Sequence, residues 1–367
     1  MHRRQFCSSL LWLVAAGGMA GCSRNPSTVN PGQSILSGCD DQQGRHYIAH
    51  LNHRGQVLAQ AAVPQRVHDS LYLPQSHTAL FIARRPGTHL YHLDLRSGRL
   101  LQTLVSANDR HYYGHGVLSA DGQLLFLTEN DLTSLQGIIG VYSVADNLTK
   151  VAEFSSGGVG PHQLALLPDQ TTLVVANGGM ATHPDSGRRT LNLGSMAPNL
   201  SYIRARDGVV LEQQTPPHHQ MSIRHLDVSP DGNVVFGVQF QGAATAQWPL
   251  VGSHRQGHSI RWLPMPEVVH LGIHQYTASV AVEASGKRAA VSCPRGNLVA
   301  CWDLPNGEFL GKLADNDVAG VHRWGSSGWL CTNGYGEVAT LTADRSRLQR
   351  QPLQQTPWRW DNHVQVM

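Results

Sequence analysis

His115-Gly116-Val117-Leu118-Ser119-Ala120-Asp121-Gly122-Gln123-Leu124-Leu125-Phe126-Leu127-Thr128 contains a short alternating strand, a tight turn and a second apolar strand. Two strands meeting at an Asp-Gly step form a β-hairpin, because glycine supplies the positive φ the turn needs. The pattern recurs along the chain. His162 heads Leu164 to Leu167, Pro168-Asp169 and Leu173 to Ala176, and His225 heads Leu226, Val228, Ser229-Pro230-Asp231-Gly232 and Val234 to Val238. His68 leads into Leu71-Tyr72-Leu73 and Ala79 to Ala83, and His322 into a degenerate copy ending at Trp329 to Thr332. A further copy carries Ser279 in the histidine slot, followed by Val280 to Val282, Ser285-Gly286 and Ala289 to Ser292.

Spacings between slots run from 41 residues (322 to 363) to 63 (162 to 225), the period of a four-stranded propeller blade with insertions. The chain ends on a first strand with no blade after it, Asn362-His363-Val364-Gln365-Val366. It begins with Ile35 to Cys39, Tyr47 to Leu51 and Val57 to Val63, a blade with no first strand. Pairing the two ends gives an all-β, seven-bladed β-propeller without open edges. The 37 Gly and 19 Pro suit its many turns, and the repeat makes residues 35–367 one domain despite the chain's length.

Residues 1–21 read as an export signal. Arg3-Arg4-Gln5-Phe6 resembles a twin-arginine signal, and the apolar stretch from Leu10 to Ala16 is too short to span a bilayer. Met19-Ala20-Gly21-Cys22 resembles a lipoprotein cleavage box, so Cys22 is the expected lipidation site. Ser23 after it fits transfer to the outer membrane, and residues 22–34 read as a flexible tether. The expectation is a lipid-anchored periplasmic protein; a soluble periplasmic one with an incidental Cys22 is the alternative. Without residues 1–21 the chain carries 26 basic and 25 acidic residues, which offers nothing to nucleic acid. The oxidising compartment permits disulfides, but Cys293 would face Leu298 and Cys301 would face Ala290 across their turn. Buried free thiols are therefore expected for Cys39, Cys293, Cys301 and Cys331.

Several long motifs resemble a bacterial propeller family, domain of unknown function 1513. They include Leu173-Val174-Val175-Ala176-Asn177-Gly178-Gly179, Thr182-His183-Pro184-Asp185-Ser186-Gly187-Arg188, Ser222-Ile223-Arg224-His225-Leu226 and Phe236-Gly237-Val238-Gln239-Phe240-Gln241-Gly242. The resemblance covers roughly the whole mature chain and implies no assigned activity. It implies export and a place beside imelysin-like, iron-regulated exported proteins, which are the partners expected from it.

The chemistry must come from the histidines. In WD-type propellers a structural Gly-His lies about a dozen residues before the Asp-Gly turn. Here the gap is six from His115 to Asp121, seven from His162 to Asp169 and six from His225 to Asp231. That places His68, His115, His162, His225, His322 and His363 at the mouth of the central channel. Glu129, Asp131, His183, Asp185 and Arg188 are expected on the same face, the last three on an insert able to lid the channel. Imidazoles with nearby carboxylates suit a transition metal, with iron favoured through the family resemblance. They can equally hydrogen-bond strand ends and trapped water. His218 and His219 read as a polar loop, and His270 and His274 are discounted because a propeller offers no helix there.

No Gly-x-Ser-x-Gly elbow is present, and no catalytic residue is assigned. Three classes of function follow: a monomeric, membrane-tethered propeller that binds a metal or small ligand, a scaffold for partner proteins, and a metal-dependent enzyme. The first stands ahead.

Overall fold

The computed structural model describes residues 33–187, 189–344 and 347–367. Arg3, Arg4, Cys22, Arg188 and almost all of the expected signal and tether lie outside them. Seven four-stranded antiparallel sheets form the propeller. Their inner strands are Val67–Leu73, Arg110–Leu118, Pro161–Leu166, Met221–Val228, Val280–Val282, Val318–Trp324 and Arg359–Val366. Each inner strand touches the next all the way round, which closes the ring.

The closing blade takes its inner strand from the C-terminus, as the sequence predicts. Ile35 pairs with Val366, Ser37 with Val364 and Cys39 with Trp360. Ser34 and Met367 exchange both backbone hydrogen bonds at 3.0 and 3.1 Å. This pairing begins one residue inside the expected tether and satisfies backbone groups that an open array would expose.

Position within a blade explains the apolar pattern. The second strands, such as Thr78–Ala83, Thr172–Asn177 and Val234–Phe240, are buried along their whole length. They are covered on both faces by adjacent blades and so read as continuous apolar runs. The outer strand Leu100–Val105 alternates between half-buried and exposed. Cores form between blades rather than within them: Val174, Leu200 and Tyr202 of one blade meet Leu226 and Phe236 of the next. Full burial of each such side chain is worth about 1.5–3 kcal/mol. Trp329 also donates its indole N–H to the Ala281 carbonyl of the preceding blade at 2.9 Å.

Two details differ from expectation or match it closely. A six-residue helix, Glu267–Gly272, does occur before Ser279, where none was expected. It does not pair the two histidines: His270 donates to the Trp248 carbonyl at 2.7 Å, and His274 lies beyond its end. Cys39, Cys293, Cys301 and Cys331 are buried free thiols, with Cys301 opposite Ala290 and Cys293 opposite Leu298. Among the described residues no helix is long and apolar enough to cross a membrane.

Candidate functional site

Each inner strand carries an irregularity near its start. Pairing skips between Val67 and Asp69, Tyr112 and Gly116, Pro161 and Gln163, and Ile223 and Leu226. In the closing blade it skips from Val364 to Trp360, and in the preceding one from Val318 to Gly320. At the remaining blade, Ala278 donates to Ser292 and Ser292 donates back to Ser279, so two residues face one. A bulge re-aims side chains that the pleat would send sideways into the blade cores. Here it turns them into the channel. Local chemistry supports the bend: Gly114 has φ +106°, and a side chain there would strike the Cβ of His68 at 2.8 Å. Thr128 and Ser37 donate their hydroxyls to the freed carbonyls of His115 and His363 at 3.1 and 2.9 Å.

Five of the six expected histidines meet. His68, His115, His162, His225 and His363 are between 0% and 8% exposed. Ring centroids of His68 lie 4.7 to 6.0 Å from the other four. One nitrogen each from His68, His115 and His162 falls within 4.8 Å of the others, and the same holds for His68, His225 and His363. Among the described residues no other trio of metal-ligating side chains comes as close.

His322 does not join them. The bulge of its strand falls at Ala319, so the sixth slot holds a methyl group. His322 lies three residues further along, where its Nδ1–H donates to the Arg323 carbonyl at 3.1 Å and its ring lines the other end of the channel with Arg323 and Gln365.

Hydrogen bonds set the tautomers of two rings. His115 Nδ1 lies 2.9 Å from the Asp69 carboxylate, so Nδ1 carries the proton and Nε2 presents a lone pair. Ser279 donates to the Asn362 carbonyl at 2.6 Å, and its oxygen therefore accepts from His363 Nδ1 at 3.1 Å. That again leaves Nε2 bare. His162 and His225 bring their Nε2 atoms to 3.3 Å. Two imidazoles bound to one ion at ~2.0–2.1 Å have such a separation. The Nε2 of His115 and His363, the Nδ1 of His162 and His225, and both nitrogens of His68 have no hydrogen-bond partner among the described residues.

Electrostatics keep His68, His162, His225 and His363 neutral. Burial, reinforced by neighbouring imidazoles and by Arg84 and Arg66, pushes the pKa of His68 well down; burial and Arg224 do the same for His162. His225 is lowered by burial and by His363, and His363 falls to about 3, chiefly through burial. Burial opposes ionisation of Asp69, but its hydrogen bond from His115 holds the carboxyl below its ordinary value. Neutral imidazoles beside an ionised carboxylate are metal ligands with an orienting partner.

Glu129, Asp131, His183 and Asp185 stay out of the ring, and Arg188 lies outside the described residues. Glu129 is buried inside its blade, accepting from Tyr142 at 2.6 Å and Lys150 at 2.9 Å. Asp131 caps its own loop through the N–H groups of Thr133 and Ser134. His183 caps the turn Pro184–Ser186 and Asp185 is exposed, so neither enters the ring. The insert does lean over the mouth, where Tyr113 donates to the Met180 carbonyl at 3.4 Å and Asn130 to that of Thr182 at 3.3 Å. The arginines beside the ring, and Asp69 behind it, carry more of the site's charge than those residues do. Their sequence signal was adjacency: Asp69 follows His68, and Arg224 precedes His225.

A family model described as a protein of unknown function (DUF1513) matches residues 61–367. No curated protein matches the chain in sequence. Solved structures share its fold. Kuenenia stuttgartiensis hydrazine synthase is similar at 15% identity and a TM-score of 0.64, over 89% of this chain and 100% of that one. A streptogramin B lyase is similar at 15% identity and 0.57, over 79% and 84%. U3-55K is similar at 11% and 0.57, over 79% and 82%.

Proposed function

The chain belongs to the DUF1513 family of proteins of unknown function, and we propose that this member binds a transition metal through His68, His115, His162, His225 and His363. One observation carries the reading: five buried imidazoles converge in two trios that share His68, and His68, His115 and His363 bring nitrogens that no described residue satisfies. Each such nitrogen costs about 1–3 kcal/mol when left unpaired. A shared ion would satisfy the bare Nε2 atoms of His115 and His363 and one nitrogen of His68, and would take up the facing Nε2 atoms of His162 and His225.

The donor set narrows the ion. Neutral nitrogen ligands suit iron, copper, nickel and zinc and disfavour calcium and magnesium. Five nitrogens exceed the four that structural zinc takes, which puts iron first among ions of higher coordination number. A cavity of about 20 Å3 reaches His68, His162 and His225, room for about one water-sized occupant. It favours one second reading, a metal-dependent enzyme with a coordination position open to a substrate.

The twin-arginine motif and Cys22 support a place in the periplasm, anchored by lipid to the outer membrane. Twin-arginine export carries folded proteins, so metal can be loaded before export. The work proposed there is metal handling, iron above all, alongside imelysin-like partners.

Metal analysis of protein purified without a His-tag tests the centre. Stoichiometric metal is expected in the wild type and in His322→Gln, and none in the His115→Gln/His225→Gln double variant. A wild type that stays metal-free after iron and copper loading overturns the reading in favour of an interaction scaffold.

A further inference from the structure

Outside the histidine ring the channel widens into a vestibule of about 620 Å3 with a different chemistry. Four guanidinium groups line it, from Arg84, Arg85, Arg224 and Arg295, against one carboxylate, Asp317. Arg84, Arg85 and Arg224 also line the small cavity that reaches the imidazoles, so the two spaces are continuous. Arg85 is the most informative. It is 6% exposed, its Nε has no hydrogen-bond partner among the described residues, and its guanidinium lies 5.8 Å from the ring of Tyr113. No ion pair among the described residues includes Arg84, Arg85 or Arg295.

The other groups are held in place. Arg224 donates to Gln239 at 3.3 Å, and Gln239 donates in turn to the Thr277 carbonyl at 2.9 Å. Arg295 lies 4.3 Å over the ring of Tyr276, which fixes its plane at the rim. A buried guanidinium without a counter-charge is costly, and Arg85 is buried with no ion pair among the described residues. An anion resident in the vestibule relieves it.

We propose that the vestibule binds a small polyanion bearing two or more carboxylate or phosphate groups. The arginine forks match either oxyanion in bidentate geometry, and four positive charges against one negative complement a di- or trianion. The volume suits a ligand of metabolite size. Bound there, the anion stands between solvent and the imidazoles and controls what reaches them. This site rests on the arginines and goes beyond the metal centre.

Calorimetric titration of the full chain, stripped of metal and dialysed at low ionic strength, tests it with citrate and inorganic phosphate as probes. Saturable binding of at least one is expected, tighter citrate assigning a carboxylate ligand and tighter phosphate a phosphorylated one. Arg84→Gln and Arg85→Gln should each weaken it by about tenfold or more, and Arg295→Gln by about threefold. Arg323→Gln, at the opposite end of the channel, should leave it unchanged. Failure of both probes to bind the wild type overturns the proposal, as does wild-type affinity in both Arg84→Gln and Arg295→Gln, or an equal loss in Arg323→Gln. Arg84 and Arg295 are less buried than Arg85, so these variants remain informative should Arg85→Gln fail to fold. Because the protein is metal-free, an empty histidine ring leaves the result standing.

Discussion

Five blades place an imidazole in the bulge of the inner strand; the two that lie between His225 and His363 place Ser279 and Ala319 there. All seven bend the strand in a similar way, so the bulge belongs to the fold and the side chain is the variable. Ala319 closes the ring with a methyl group, which has no polar atom to satisfy. Ser279 closes it with its hydroxyl satisfied by Asn362 and His363. The five imidazoles, by contrast, bury nitrogens that remain unpartnered. Closing the channel does not require that cost, so the two silent blades argue that the histidines serve a ligand.

Acid should separate the two kinds of blade most strongly. His363 titrates near 3 and His111, in the His115 blade, near 4, both lowered chiefly by burial from the ordinary value of 6.5. The unfolded chain therefore takes up protons first as pH falls. Stability is intact above about 6.5 and declines as pH falls toward the folded-state values, by about 2 kcal/mol for each of the two groups at pH 5. Thermal unfolding of metal-free protein should show a lower Tm at pH 5 than at pH 7.5, whereas metal affinity of the folded protein should hold over that range and fall only as pH approaches the depressed ring values. Affinity lost steeply between pH 7.5 and 5 would break the picture of imidazoles held neutral by burial.

Asp69→Asn sharpens the comparison at one histidine blade. Asp69 fixes the tautomer of His115, and loss of such a partner typically costs about 10–100-fold in metal affinity. Chelator competition measures it, with Asp131→Asn as a reference that should stay at the wild-type value. An Asp69→Asn protein that binds as tightly as wild type would show that the bulge alone orients His115.

The fold was legible because alternation and Asp-Gly turns repeat at blade spacing and the two termini complement each other. The convergence of five histidines was legible from their distance to the turn. The sixth blade has no Asp-Gly or Pro-Asp turn from which to count, so nothing in its sequence marks Ala319 as the slot. An alanine carries no chemical signal, and the nearby histidine drew the assignment. Glu129 lies at the expected end of its strand, but that position does not fix where the side chain turns, and it turns into the blade toward Tyr142 and Lys150. The helix Glu267–Gly272 is too short to show a helical period. The arginine vestibule was hidden because its residues come from separate blades and converge only once the ring closes.

The smallest expected effect tests the seam where a silent blade meets a histidine blade. Ser279→Ala removes the acceptor of the His363 Nδ1 proton and the donor to the Asn362 carbonyl while leaving His363 in place. His363 can then exchange tautomers, and only the form with a bare Nε2 binds an ion at the centre. Losing one of two near-equal tautomers costs about RT ln 2, so metal affinity should drop only about two- to threefold, far less than for Asp69→Asn, which also removes a charge. Chelator competition resolves that difference, and Ser279→Thr, which restores the hydroxyl, should recover the lost affinity. A Ser279→Ala variant as weak as a histidine deletion would mean that Ser279 is itself a ligand, and the line between five binding blades and two silent ones would have to be redrawn as six and one.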